Sequence, residues 1–99
     1  MTICYIGIGT NLGNRERNIK EAIRRMNRIE GIKVLKRSNI YETEPQGGPP
    51  QGKFLNACIK AEVTLKPQAL LRELKSIEKE MGRKRTVRFG PRVIDLDIL

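Results

Sequence analysis

The chain has 99 residues, 38% of them hydrophobic and 31% charged, enough for one modest core but not two. Its 20 lysines and arginines against 11 acids give a formal charge of +9, which favours polyanionic partners such as nucleotide phosphates, nucleic acid or an acidic membrane surface. Histidine is absent, which excludes Ser-His-Asp and Cys-His nucleophiles, imidazole acid–base catalysis and most zinc or iron sites.

Ile3–Ile8 is an almost unbroken apolar run, the pattern of a central strand. It follows no basic leader, and no stretch is long enough to span a bilayer, so the chain reads as cytoplasmic with no membrane partner. GTNLGN breaks the strand, with Asn14 as the expected N-cap of a helix. Ile19, Ala22, Ile23, Met26 and Ile29 mark the apolar stripe of that helix, and Gly31 ends it. Ile32–Tyr41 reads as a second strand of ambiguous register, and EPQGGPPQG after it as a loop. Phe54–Val63 alternates, with Leu55, Ala57, Ile59, Ala61 and Val63 on one side and Phe54, Asn56, Cys58, Lys60 and Glu62 on the other. Pro67 opens a second helix striped by Leu70, Leu74, Ile77 and Met81 and closed by Gly82. A basic loop, RKRTVRFGPR, leads to a last strand from Val93 onward. Cys4 and Cys58 fall in strands and read as free thiols used in packing.

The order β-α-β-β-α-β predicts an α+β fold in a single domain over residues 1–99. The expected form is a ferredoxin-like sandwich, a four-stranded antiparallel sheet with both helices on one face. The other face is then open. In the last strand Ile94, Leu96 and Ile98 would meet the helices, so Asp95 and Asp97 would share the open side with Phe54 and Asn56.

Carboxylates two apart on a strand project in parallel, about 7 Å apart at the backbone. Their oxygens suit a hard cation, Mg²⁺ above all, which fills the rest of its shell with water and phosphate. Arg83, Lys84, Arg85, Arg88 and Arg92 lie just upstream, and arginine grips phosphate in a fixed fork. An acidic pair beside an arginine cluster is the arrangement phosphoryl transfer needs, and it works without histidine. GIGTNLG places Gly7, Gly9 and Gly13 between strand and helix, but Leu12 stands where a dinucleotide-binding turn needs its third glycine.

Taken together, YIGIGTNLGNR, the YETEP stretch with its Gly/Pro loop, QGKFLN and GRKRTVRFGPRVIDLDIL resemble the 6-hydroxymethyl-7,8-dihydropterin pyrophosphokinases of folate biosynthesis, from residue 5 to residue 99. The resemblance implies Mg²⁺-dependent transfer of the β,γ-diphosphoryl unit of ATP to the hydroxymethyl group of the pterin, releasing AMP. It implies that Asp95 and Asp97 hold two Mg²⁺ ions, that Arg83 and Arg92 steady the transferred group, and that Arg85 and Arg88 reach nucleotide phosphates. Phe54 and Phe89 would pack on the pterin ring, Asn56 would bond its edge, and backbone groups near Thr43 and Gln46 would help. Glu78 and the Ile98 backbone would lie near the nucleoside, and the loops at 44–53 and 83–91 would act as lids. Phe89 stands where the family often has tryptophan. The family usually continues past the DLD strand with a His-Pro-His segment that has no counterpart in these 99 residues.

A rival reading is a non-enzymatic RNA-binding module of the same topology, which would share the open sheet face and positive charge. Few stacking aromatics and two acids on that face weigh against it, so nucleic acid is not the expected partner; ATP and a pterin alcohol are. A monomer is expected, with an edge-paired or strand-swapped subunit as the alternative.

Overall fold

The structure is a computed structural model and describes residues 1–82 and 90–99. Asn14 caps the first helix as expected, its side chain accepting the amide of Arg17 and satisfying one of the donors that a helix start leaves unpaired. From there α1 (Arg15–Asn27) buries Ile19, Ala22 and Met26 along one stripe. The second helix, α2 (Pro67–Glu80), opens on Pro67, whose missing N–H costs nothing in a first turn, and buries Leu70, Leu74 and Ile77. Gly31 reverses the chain after α1 with φ of 98°, and a Cβ there would stand 3.0 Å from Leu65 and Thr64. Both the backbone angle and the space therefore require glycine.

The strands are β1 (Thr2–Thr10), β2 (Ile32–Arg37), β3 (Tyr41–Thr43), β4 (Phe54–Val63) and β5 (Asp95–Ile98). They form one antiparallel sheet in the order β2-β4-β1-β5, with β3 also paired to β4. A single apolar cluster joins Ile6, Ile8, Ile59, Ala61, Val63 and Leu96 of the sheet to Ile19, Met26, Leu70, Leu74 and Ile77 of the helices. Both helices thus cover the same face. Burial alternates along β4 as its sequence predicts, with Ala57, Ile59, Ala61 and Val63 inward.

The described residues form five strands rather than the expected four. The run 32–41 does not form one strand, because two extra residues are accommodated along it. Leu35 is passed over between the pairs Val34–Ala61 and Lys36–Lys60, and residues 38–40 stand opposite only residues 57 and 58. One such insertion would turn the rest of the strand to the other face; the second restores it, so Tyr41 and Thr43 oppose Asn56 and Phe54 on the open side. Ser38 bridges the gap. Its N–H donates to the Cys58 carbonyl, and its hydroxyl accepts the Cys58 N–H, both at 2.8 Å.

The last strand begins at Asp95 rather than Val93. The preceding backbone is engaged elsewhere: the Arg92 N–H donates to the Asn11 side chain, and the Val93 carbonyl accepts from Asn18 Nδ2. Ile94 and Leu96 are buried as predicted, but Ile98 is 40% exposed, on a strand that among the described residues has a strand neighbour on one side only.

Candidate active site

The open face of the sheet floors a cleft of about 480 Å³. Gly7 and Gly9 of β1 form its base, and β4 supplies Phe54, Asn56 and Cys58. Thr43, Glu44 and Gln46 line one wall; Arg92, Asp95, Asp97 and Leu99 line the other. Seven of the residues singled out from sequence are thereby brought together: Thr43, Gln46, Phe54, Asn56, Arg92, Asp95 and Asp97.

Alternation explains the carboxylate pair. Asp95 and Asp97 pair with Gly9 and Gly7 on β1, positions without side chains that could crowd them. At Gly9 an added Cβ would lie 3.3 Å from Asn56 Oδ1 and 3.7 Å from the Phe54 ring, so glycine keeps that part of the floor flat. At Gly7 it would meet Leu99, whose amide donates to the Tyr5 carbonyl at 2.8 Å and whose side chain folds over the glycine. Asn56 is oriented by Thr43: its Nδ2 donates to the threonine hydroxyl at 2.6 Å. The break between β2 and β3 that puts Thr43 on this face therefore also sets the amide.

The walls are tied together by asparagines that the sequence reading passed over. Asn11, only 7% exposed, donates from Nδ2 to Gln51 Oε1 at 2.8 Å and to the Gly52 carbonyl at 3.0 Å, while its Oδ1 accepts the Arg92 N–H. Asn18 Nδ2 donates to the carbonyls of Leu12 and Val93 and to the Thr10 hydroxyl. Arg15 holds Glu42 of β3 and the Lys53 carbonyl, each at 2.9 Å. For Asn11 the signal was the GTNLGN turn itself, polar residues closely spaced where a strand hands over to a helix; Arg15 and Asn18 lie just beyond it in the first turn of α1. Cys58 and Cys4 are both free thiols; Cys58 faces the cleft rather than only packing, and Cys4 packs on the core. Arg92 Nη1 donates to the carbonyls of Gly90 and Pro91.

The two residues expected near a nucleoside, Glu78 and Ile98, do not line this cleft. Glu78 is buried on α2 and accepts the Leu96 N–H at 2.8 Å, on the helix side of the sheet. Arg83, Arg85, Arg88 and Phe89 lie outside the described residues.

Among the described residues no group of three or more His, Cys, Asp or Glu side chains is arranged to hold a metal ion. Asp95 and Asp97 nevertheless fit Mg²⁺ by donor chemistry: two carboxylates facing an open cleft suit a cation that keeps several coordination positions for water and phosphate. No helix among the described residues is long and apolar enough to cross a membrane.

Fold and site define an α+β protein that presents an acidic pair, an arginine, an aromatic ring and an oriented amide in one cleft on the uncovered face of its sheet. The chain belongs to the 7,8-dihydro-6-hydroxymethylpterin-pyrophosphokinase family, whose model matches residues 5–99. It is 43% identical over 97 residues to the 2-amino-4-hydroxy-6-hydroxymethyldihydropteridine pyrophosphokinase of Bacillus subtilis, covering 98% of this chain and 58% of that protein. The protein of the same name from Aquifex aeolicus is 43% identical over 99 residues, covering 100% of this chain and 61% of that one. A folate synthesis bifunctional protein of Arabidopsis thaliana is 53% identical over 95 residues, which are 95% of this chain but 19% of the plant protein. The chain thus spans about three-fifths of the length of these two bacterial relatives.

Proposed function

We propose that the chain carries the core of a pyrophosphokinase that moves the β,γ-diphosphoryl unit of ATP onto the hydroxymethyl oxygen of 6-hydroxymethyl-7,8-dihydropterin and releases AMP. The observation that carries this reading is the meeting of Asp95, Asp97 and Arg92 with Phe54, Asn56, Thr43 and Gln46 in one cleft of a chain belonging to that family. The strand order β2-β4-β1-β5, with β2 and β3 taken as one interrupted strand, supports a ferredoxin-like sandwich and one domain over residues 1–99.

In this reading Asp95 and Asp97 would hold two Mg²⁺ ions, which when bound would supply positive charge to offset that of the transferred phosphates. Arg92 approaches the transferred group from the same wall, and the basic residues Arg83, Arg85 and Arg88 add phosphate contacts from the neighbouring segment. Phe54 and Phe89 are the aromatic residues assigned to packing on the flat ring. Asn56 reads the ring edge with an amide whose orientation Thr43 sets, so donor and acceptor are presented in a fixed order. Holding both substrates in one cleft accounts for most of the rate such chemistry requires, since positioning and electrostatics dominate it. The working state is a monomer in the cytoplasm, with ATP and the pterin alcohol as its partners.

The test is calorimetric titration with a non-hydrolysable ATP analogue, with and without Mg²⁺ and the pterin alcohol. Binding that needs Mg²⁺, and is abolished by Asp95→Ala and by Asp97→Ala, is expected. Metal-independent binding indifferent to both substitutions overturns the reading. RNA affinity that falls steeply with salt and ignores pterin and nucleotide would instead favour an RNA-binding module.

A further inference from the structure

Glu78 is the only charged side chain in the buried set among the described residues, 5% exposed. Burying a carboxylate is costly unless donors surround it, and this one accepts the Leu96 N–H at 2.8 Å. Leu96 lies between Asp95 and Asp97, so the bond grips the backbone midway between the two carboxylates. β5 is four residues long and, among the described residues, pairs only with β1. Short edge strands open readily, and a slip of one residue would turn both aspartates from the cleft into the core.

We propose that Glu78 is a positioning residue for the carboxylate pair. Anchored on α2, it ties the free edge of β5 to the helix layer, so that Asp95 and Asp97 leave the opposite face at a constant spacing. It acts from the far side of the sheet and does not touch the cleft. The proposal rests on the cation-binding reading of that cleft. Like the hydrogen-bonded partners behind metal ligands in general, it should set cation affinity without contributing a donor.

The experiment compares wild type, Glu78→Gln and Glu78→Ala by two readouts. One is hydrogen exchange at the Leu96 amide; the other is Mn²⁺ titration, standing in for Mg²⁺, with a non-hydrolysable ATP analogue present. Glu78→Ala should speed exchange at Leu96 and weaken Mn²⁺ binding by about tenfold or more. Glu78→Gln offers a carbonyl to the same N–H and should keep Mn²⁺ affinity within about threefold of wild type. Faster exchange in Glu78→Ala with unchanged Mn²⁺ binding overturns the proposal, as does a loss in Glu78→Gln equal to that in Glu78→Ala. Should Glu78→Ala fail to fold, an ester in place of the Asp95–Leu96 peptide, introduced on a synthetic C-terminal segment, replaces that N–H by an oxygen while keeping every side chain and is read in the same way. A wild-type chain that takes up no Mn²⁺ overturns the reading of the cleft itself; normal uptake with an indifferent Glu78→Ala overturns only the role of Glu78.

Discussion

Asn11 and Arg92, 81 positions apart in sequence, exchange two hydrogen bonds: the Arg92 N–H donates to Asn11 Oδ1 at 2.8 Å, and the Asn11 N–H donates to the Arg92 carbonyl at 3.0 Å. The same side chain holds Gln51 and Gly52, so one buried amide joins the Gly/Pro loop to the segment that leads into β5. Asn11→Ala removes all three side-chain bonds and leaves buried groups unpaired. The expected loss is about 2–3 kcal/mol of stability by urea denaturation. Affinity for a non-hydrolysable ATP analogue should fall by about tenfold as Arg92 is released from its place.

Gly9 and Gly7 should differ. A methyl at Gly9 presses on Asn56 Oδ1 at 3.3 Å and stands beside the Phe54 ring, whereas at Gly7 it makes an ordinary 3.5 Å contact with Leu99. Gly9→Ala should leave stability within about 1 kcal/mol, because alanine suits a strand at least as well. Its pterin-alcohol affinity should fall by about tenfold, a loss of about 1.4 kcal/mol. Gly7→Ala should keep both nearly unchanged. Titration calorimetry and urea melts of the two variants make the comparison.

Ser38→Ala tests the device that splits the expected second strand. The hydroxyl accepts the Cys58 N–H, which no strand neighbour takes up at that point. Its removal should cost about 1–2 kcal/mol in a urea melt. Thr43 stands on the far side of the break, so the orientation of Asn56 should loosen as well, visible as exchange broadening of the Asn56 side-chain amide in NMR spectra.

Glu21 carries the pH dependence that can be read from the structure. Hydrogen bonds first from Arg24 and then from Arg25 hold its carboxyl at about 2, below the ordinary 4.5. A depressed carboxylate stabilises the folded chain above the unfolded value and loses that contribution as pH falls toward the folded one. The difference in urea midpoint between wild type and Glu21→Gln should therefore be present near about pH 6 and close between about 4.5 and about 2. These charges are exposed, so the difference should be small and should narrow further in about 1 M salt.

Much of this architecture is local and therefore legible in the chain. Both helices were visible because their apolar residues recur at helical spacing, and Asn14, Gly31 and Pro67 carry their termini. β4 was visible because every second residue from Leu55 to Val63 is apolar. The same alternation put Asp95 and Asp97 on one side of their strand before any partner for that strand was known. The break at residues 38–40 was not visible: nothing in SNI marks an insertion, which exists only as a mismatch in count against β4.

The periodicity of side chains along single elements thus determined the buried stripes of the helices and the two faces of β4, and put Phe54, Asn56, Asp95 and Asp97 together on the open side, whereas Thr43 and Gln46 were expected there only from the family resemblance. Tertiary structure alone decided what holds them. The Asn11–Arg92 exchange, the grip of Glu78 on Leu96 and the turning of Asn56 by Thr43 each join residues remote in sequence or on different strands. An asparagine in a turn and a glutamate on a helix look the same in sequence whether they face solvent or a buried amide. Only the packing of α2 against β5, and of the Gly/Pro loop against the turn after β1, removes the water that would otherwise have satisfied them.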